Sequence, residues 1–151
     1  MNSMKLLLLL LIIGFSSCSL FNGFKKRNFN YGENNESFGV IIPKGWKRTE
    51  FKSDSADNKV QYYYYKNGSS LYLVRTADSL ISFQPIIFSN HIPLIHPQDG
   101  LIYKGVDSNG LYWREIRLKD FRFGYKNVPT ETEARFDSAL NYAAQKVPLN
   151  Y

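Results

Sequence analysis

The stretch that decides the fold is residues 60–76, which read VQYYYYKNGSSLYLVRT. Two runs rich in aromatic, aliphatic and β-branched residues flank Asn67-Gly68. Asn-Gly between two such runs is the strongest short-range signal of a β-hairpin, because the residues of the tight turn need a positive φ. If these two residues form the whole loop, Lys66 pairs with Ser69, and this pairing sets the register of the rest of the hairpin.

That register assigns the side chains of the hairpin to two faces. It predicts a core face of Tyr and Leu side chains, formed by the pairs Tyr64–Leu71 and Tyr62–Leu73. On the opposite face it pairs Tyr63 with Tyr72. We interpret this aromatic pair as a surface that is covered by a helix or loop, or that binds another molecule.

Residues 101–118 repeat the pattern around Asn109-Gly110. A two-residue loop here predicts three cross-strand pairs, which are Val106–Trp113, Lys104–Glu115 and Tyr103–Ile116. The second pair brings opposite charges together, which supports the register. Further along, Phe121, Phe123 and Tyr125 alternate with polar or small residues and predict another strand.

The segments before and between the hairpins are less regular. Residues 38–42 (FGVII) predict a short strand, residues 43–46 (PKGW) a turn, and residues 52–59 a polar loop. Residues 80–100 contain several apolar side chains but are interrupted by Pro85, Pro93 and Pro97. Because proline cannot donate to a sheet, we expect an edge strand or a packed irregular segment there.

The C-terminal segment predicts a helix. Thr130 and Glu133 have the spacing of a capping box, and Pro148 is a stop signal. One apolar stripe runs along the segment at helical spacing, through Phe136, Leu140, Ala143 and Val147. Strands followed by a helix predict an α+β fold, in which the helix packs on an antiparallel sheet of hairpins.

The N-terminus has the parts of a secretory signal. Lys5 precedes an apolar run, residues 6–13, and small residues lead to Cys18. The run is shorter than the roughly 20 apolar residues that cross a bilayer. The Ser-Ser-Cys sequence ending at Cys18 resembles a bacterial lipobox, although Phe15 stands where that pattern has Leu. The resemblance implies cleavage before Cys18 and attachment of lipid to its sulfur.

These signals predict three parts of the chain. We expect a signal peptide at residues 1–17, a lipidated Cys18 with a flexible tether over residues 18–36, and a single α+β domain over residues 37–151. Cys18 is also the only cysteine of the chain, so it has no internal disulfide partner. The lipid implies a protein attached to the bacterial cell envelope, and we expect the outer membrane.

A second resemblance concerns the domain itself. The sequence GVIIPKGW at residues 39–46 is similar to the opening of PsbP and Mog1-like domains, and FDSAL at residues 136–140 is similar to their late helix. The resemblance implies an antiparallel sheet flanked by helices. It also implies a role in binding a partner rather than in catalysis, since most of those domains are not enzymes.

The residues of the domain do not suggest a reaction. His91 and His96 are the only histidines, and a zinc site normally needs four ligands. Asp54 and Asp57 lack the ligand number and glycine of a calcium loop. There is no nucleophile elbow or phosphate loop. We therefore predict no enzymatic activity, no metal and no cofactor.

The chain carries a formal net charge of +6, but its cations are spread along the sequence, and we expect no nucleic-acid partner. We expect instead a membrane-anchored lipoprotein whose domain binds an envelope protein or assists an envelope complex. Tyr63, Tyr72 and Trp113 are the candidate binding surface. The alternative is a lipoprotein that binds a small ligand or an envelope polymer in a pocket lined by Tyr and Trp.

Overall fold

A computed structural model describes residues 22–32, 35–53, 58–76, 94–96 and 100–148, with the backbone alone for 94–96. These residues form nine strands and one helix. The strands are β1 (Phe24–Asn30), β2 (Ser37–Pro43), β3 (Trp46–Ser53), β4 (Asn58–Tyr65), β5 (Ser70–Thr76), β6 (Leu94–His96), β7 (Gly100–Val106), β8 (Tyr112–Leu118) and β9 (Phe121–Val128). The helix, α1, is Thr130–Gln145. The predicted α+β class is thus confirmed.

The strands form two antiparallel sheets. β1 pairs with β2, and the other seven form a large sheet in the order β3-β4-β5-β9-β8-β7-β6. The two Asn-Gly hairpins, β4–β5 and β7–β8, lie in this sheet on either side of β9. The three residues of β6 form its far edge, which agrees for residues 94–96 with the first of the two alternatives expected for 80–100, an edge strand. The three prolines of that segment lie outside the described residues.

Both predicted hairpin registers are wrong by one residue. The Tyr65 N–H donates to the Ser69 carbonyl at 2.9 Å, so the first loop has three residues rather than two. Only Gly68 in that loop has a positive φ, of +85°. This is the geometry of a type I turn followed by a glycine bulge. Tyr63 consequently pairs with Leu71, and Tyr62 with Tyr72.

The second hairpin differs from its prediction in the same way. The Asp107 N–H donates to the Leu111 carbonyl, also at 2.9 Å, which closes a three-residue loop. Gly110 takes the positive φ, of +74°. The observed pairs are Val106–Tyr112, Gly105–Trp113, Lys104–Arg114 and Tyr103–Glu115. The predicted pairing of Lys104 with Glu115 is therefore wrong.

The expected tether contains a strand. β1 pairs along its whole length with β2, from Phe24 opposite Pro43 to Asn30 opposite Ser37. Phe29 in β1 is fully buried and meets Phe38 edge to face at 5.7 Å. The ordered domain therefore begins before residue 37, and the prediction of a flexible segment is wrong for residues 24–30.

The hydrophobic core lies between one face of the large sheet and a cover made of the β1–β2 hairpin and α1. We call this sheet face the packed face; it includes Leu71, Leu73, Ile116, Phe121, Phe123 and Tyr125, all of them buried. Phe38 reaches Phe123 from the hairpin, and Phe136 reaches Tyr125 from the helix. The apolar stripe predicted for the helix is buried along its whole length.

The helix start differs from its prediction. Pro129 is the N-cap and no side chain caps the helix, so Thr130 is the first helical residue instead of half of a capping box. Thr132 donates its hydroxyl to the Pro129 carbonyl at 3.2 Å. In the described part of the chain, no helix combines the length and the apolar character needed to cross a membrane.

Candidate binding surfaces

The three predicted binding residues do not share an exposed surface. Tyr63 lies on the packed face, 1% exposed, with its ring edge to face with Trp46 at 5.4 Å. Tyr72 and Trp113 lie on the opposite face of the large sheet, and Trp113 is only 7% exposed. The prediction that these three side chains form one binding surface is therefore wrong. The one-residue change in register is the reason, because it sends Tyr63 and Tyr72 to opposite faces.

The opposite face, which we call the polar face, carries a row of residues in register across six strands. From β3 to β7 the row is Glu50, Tyr62, Tyr72, Gly124, Glu115 and Tyr103. Tyr72 and Glu115 are two strands apart, and Gly124 lies between them. The row brings together two carboxylates and three tyrosines that are far apart in the sequence.

Glycine at position 124 of β9 lets Tyr72 of β5 reach Glu115 of β8. A Cβ atom on Gly124 would lie 2.1 Å from the Tyr72 hydroxyl oxygen, so the Tyr72 ring occupies the space that any side chain would need. Gly105 has the same relation to Trp113, whose indole nitrogen would be 2.8 Å from an added Cβ. At both positions glycine is required because an aromatic ring occupies the space that a side chain would need.

Glu115 is the centre of a buried polar network. The side chain is 2% exposed, and its Oε2 accepts a hydrogen bond from the Tyr72 hydroxyl at 2.7 Å. Arg117 donates its Nε–H to the other carboxylate oxygen and lies over the Tyr103 ring at 4.7 Å. A buried charge is tolerated when it is paired and hydrogen-bonded in this way. We interpret Glu115 as a residue that orients its neighbours.

The surroundings of this network also affect Tyr72. Burial raises the pKa of the Tyr72 hydroxyl well above its usual value, and the negative charge of Glu115 raises it further. The Tyr72 hydroxyl therefore keeps the proton that it donates to Glu115 up to a higher pH than an exposed tyrosine does.

An accessible surface lies at the β3–β4 end of the sheet. We call it the edge surface; it consists of Arg48, Glu50, Phe51, Lys52, Tyr62 and Tyr64. The rings of Tyr62 and Tyr64 stack at 5.7 Å, and Arg48 lies over the Tyr64 ring at 4.3 Å. Phe51 is 55% exposed on the other side of β3. The edge surface thus offers aromatic rings and charges together.

Glu50 organises the charges of the edge surface. It accepts a hydrogen bond from Tyr64 at 3.1 Å and forms ion pairs with Lys52 at 3.0 Å and Arg48 at 3.4 Å. The hydrogen bond from Lys52, followed by that from Tyr64, lowers the pKa of Glu50. Sequence reasoning missed this surface because β3 (WKRTEFKS) has no clear alternation of apolar and polar residues.

A second accessible surface surrounds Trp46, at the turn between β2 and β3. We call it the tryptophan surface; it consists of Lys25, Arg27, Lys44 and Trp46. The Lys25 Nζ lies 5.8 Å from the centre of the indole ring, and the Arg27 guanidinium lies 5.4 Å from it. Lys25, Lys44, Gly45 and Trp46 line an open depression of about 480 Å³. The surface is aromatic at its centre and cationic at its rim.

No metal-binding cluster of three or more His, Cys, Asp or Glu residues occurs in the described ranges. Several of the residues considered from the sequence cannot be located there. Cys18, Asp54, Asp57 and His91 lie outside the described residues, and only the backbone of His96 is described.

Comparisons with protein-family models, with curated proteins and with solved structures found no match to this chain. The resemblances to a lipobox and to PsbP and Mog1-like domains therefore remain expectations from the sequence. The surfaces themselves are the basis for a functional proposal.

Proposed function

We propose that this protein is a lipid-anchored lipoprotein of the bacterial cell envelope, whose domain binds a partner protein and has no catalytic role. The anchor is proposed from the basic, apolar and small residues that lead to Cys18. The observation that supports partner binding best is the edge surface on β3 and β4.

β3 is suited to receive a partner because it is the edge strand of the large sheet. Among the described strands, only β4 pairs with it. An edge strand can bind an extended segment through main-chain hydrogen bonds, while pockets for alternate side chains provide specificity. Phe51, on one side of β3, and Tyr62 with Tyr64, on the other, supply such contacts.

The side chains of this surface favour a specific partner. Tyr and Arg are enriched among the residues that contribute most of the binding energy at protein interfaces. The charges of Arg48, Glu50 and Lys52 oppose pairing with an arbitrary strand, since charged side chains protect exposed sheet edges. A partner with complementary charges would overcome that barrier.

The alternative of a ligand pocket has less support. Tyr63, Tyr72 and Trp113, the aromatic residues singled out from the sequence, are divided between the two faces of the sheet and cannot line one pocket together. We therefore favour the edge surface and protein binding.

A photo-crosslinking residue in place of Phe51, in the full precursor expressed in its own cell, tests partner binding. Val106 is the matched control, because it is also a large apolar residue on the large sheet and is 47% exposed. We expect a specific crosslinked protein from position 51 and none from position 106. Equal crosslinking from both positions, or none from position 51, would contradict the proposal.

The lipid anchor is tested separately. We expect Cys18→Ala to abolish incorporation of labelled palmitate and to leave the precursor uncut, because the sulfur of Cys18 is the proposed site of attachment. Equal labelling of the wild-type protein and the variant would exclude lipidation at Cys18.

A further inference from the structure

We infer that the tryptophan surface docks the domain onto the anionic head groups of the membrane that holds the anchor. This inference rests on the lipid anchor proposed above, and it adds an orientation: the turn between β2 and β3 faces the bilayer. The edge surface would remain available to a protein partner in this arrangement.

The side chains have the chemistry of a membrane interface. Lys25, Arg27 and Lys44 are exposed, and Trp46 is partly exposed between them. Trp is enriched at the level of lipid head groups, because its ring is apolar and its N–H is polar. Clustered Lys and Arg next to a membrane attachment are attracted to anionic lipids. The open depression beside Trp46 can receive a head group.

The structure also locates the point where the chain leaves the domain toward Cys18. The Lys44 side chain donates to the Asn22 carbonyl at 2.8 Å, and the Lys44 backbone N–H donates to the Gly23 carbonyl at 2.9 Å. Arg135 of the helix lies beside Gly23, with its Nε 3.4 Å from the position of an added Cβ. The start of the described chain is thus held against the Lys44 turn.

The distance to the anchor follows from the covalent chain. Three residues separate Cys18 from Asn22, so the chain makes four steps between them; at most about 3.5 Å per step in a fully extended chain places the anchored cysteine within about 14 Å of Asn22. A lipid on Cys18 therefore keeps Asn22, and with it the Lys44 turn, close to the bilayer surface. This proximity favours a bilayer over an anionic envelope polymer, whose binding would not require a site beside the anchor.

The single cysteine allows a direct experiment. All described strands and the helix lie within residues 24–145, so the chain beginning at Cys18 contains every described element. Cys18 of that chain is coupled to a maleimide lipid in vesicles of neutral lipid or of neutral lipid mixed with phosphatidylglycerol. Brominated lipids then quench any tryptophan that enters the interface. Trp113 is buried, so we expect quenching of Trp46 on the anionic vesicles and its loss in Trp46→Phe.

Paired charge reversals identify the surface. We expect Lys25→Glu with Arg27→Glu, or high salt, to abolish the quenching on anionic vesicles, because the attraction is electrostatic and is screened by ions. Lys104→Glu with Lys126→Glu changes the net charge equally at exposed positions outside the tryptophan surface, and we expect it to preserve the quenching.

Three results would overturn the inference. They are equal quenching on neutral and anionic vesicles, equal loss in both pairs of charge reversals, and binding of a soluble anionic glycan by a protein that shows no quenching on anionic vesicles. The last result would assign the surface to an envelope polymer. Because the coupling is chemical, none of these results depends on lipidation of Cys18 in the cell, which the palmitate experiment tests by itself.

Discussion

The two faces of the large sheet are built on the same strands but are stabilised by different interactions. On the packed face, Leu73, Ile116 and Phe123 are buried against the β1–β2 hairpin and the helix. On the polar face, Tyr72 and Glu115 are joined by a hydrogen bond across β9. Burial of apolar groups has no direction, whereas this bond depends on the positions of individual atoms.

This difference changes what a substitution does on each face. On the packed face the volume of a side chain matters most, because a smaller residue leaves a cavity and a larger one strains its neighbours. On the polar face the essential feature is that each buried polar atom keeps its partner. The predictions below test this contrast through the free energy of unfolding in denaturant.

The largest effect is expected for Gly124→Val on the polar face. An added Cβ would lie 2.1 Å from the Tyr72 hydroxyl oxygen, so the tyrosine must move and its bond to Glu115 must break. Overpacking combined with loss of a buried hydrogen bond predicts a destabilisation of about 3 kcal/mol. Gly39→Val in β2 is the control, because no atom lies within 4 Å of an added Cβ there. Equal effects at both positions would show that the close contact does not matter.

Tyr72→Phe and Tyr63→Phe remove the same hydroxyl from opposite faces. The Tyr72 hydroxyl bonds to a buried carboxylate, so we expect its removal to cost about 2 kcal/mol. The Tyr63 hydroxyl is buried without a hydrogen-bond partner among the described residues, and we expect its removal to be neutral or stabilising. Similar costs for both variants would contradict the proposed difference between the faces.

Tyrosines on the two faces predict how the stability of the protein depends on pH in the alkaline range. Burial raises the pKa of Tyr63 from 10.0 to about 12, and it raises the pKa of Tyr62 to the same value. Between about pH 10 and pH 12, the unfolded chain has lost the phenolic protons of these tyrosines and the folded protein has kept them. The free energy of unfolding therefore falls as the pH rises.

The variant Tyr63→Phe isolates one contribution to this dependence. We expect it to reduce the slope by up to about 1.4 kcal/mol per pH unit between about pH 10 and pH 12. Denaturant unfolding at several pH values in that interval measures the slope. An unchanged slope would show that Tyr63 ionises equally easily in the folded and unfolded states.

The smallest effect is expected for Gly68→Val, in the loop between β4 and β5 that fixes the register of this hairpin. Gly68 has a φ of +85°, which a β-branched residue resists, so we expect a destabilisation of about 1 kcal/mol or more. Gly39→Val is again the matched control, since Gly39 does not have a positive φ. An unchanged unfolding midpoint in Gly68→Val would contradict the positive φ of Gly68.

The sequence by itself determined the elements that depend on local patterns. The two Asn-Gly hairpins, the strand at Phe121–Tyr125 and the apolar stripe of the helix follow from turn chemistry and periodicity, which act over a few neighbouring residues. The α+β class follows from their order. The signal peptide and Cys18 remain predictions from sequence alone.

The length of the second loop is also encoded locally, by Asp107. Asp107 accepts hydrogen bonds from the backbone of Asn109 at 2.8 Å and of Leu111 at 2.9 Å. Asp at the first position of a type I turn and Gly at the fourth are the preferences of that turn, and residues 107–110 satisfy both. Asn-Gly also fits a two-residue loop. A two-residue loop would shift the register by one residue and place the side chains of one strand on the opposite face of the hairpin.

Only the tertiary structure decided which distant strands meet. β5 pairs with β9, and this pairing places Gly124 between Tyr72 and Glu115, although Tyr72 and Glu115 are 43 positions apart in the sequence. β1 is a strand because β2 lies beside it, in a segment whose composition is that of a linker. The edge and tryptophan surfaces likewise join residues from separate strands. Local patterns cannot predict such contacts, because they depend on which elements can cover each other's apolar faces in the folded chain.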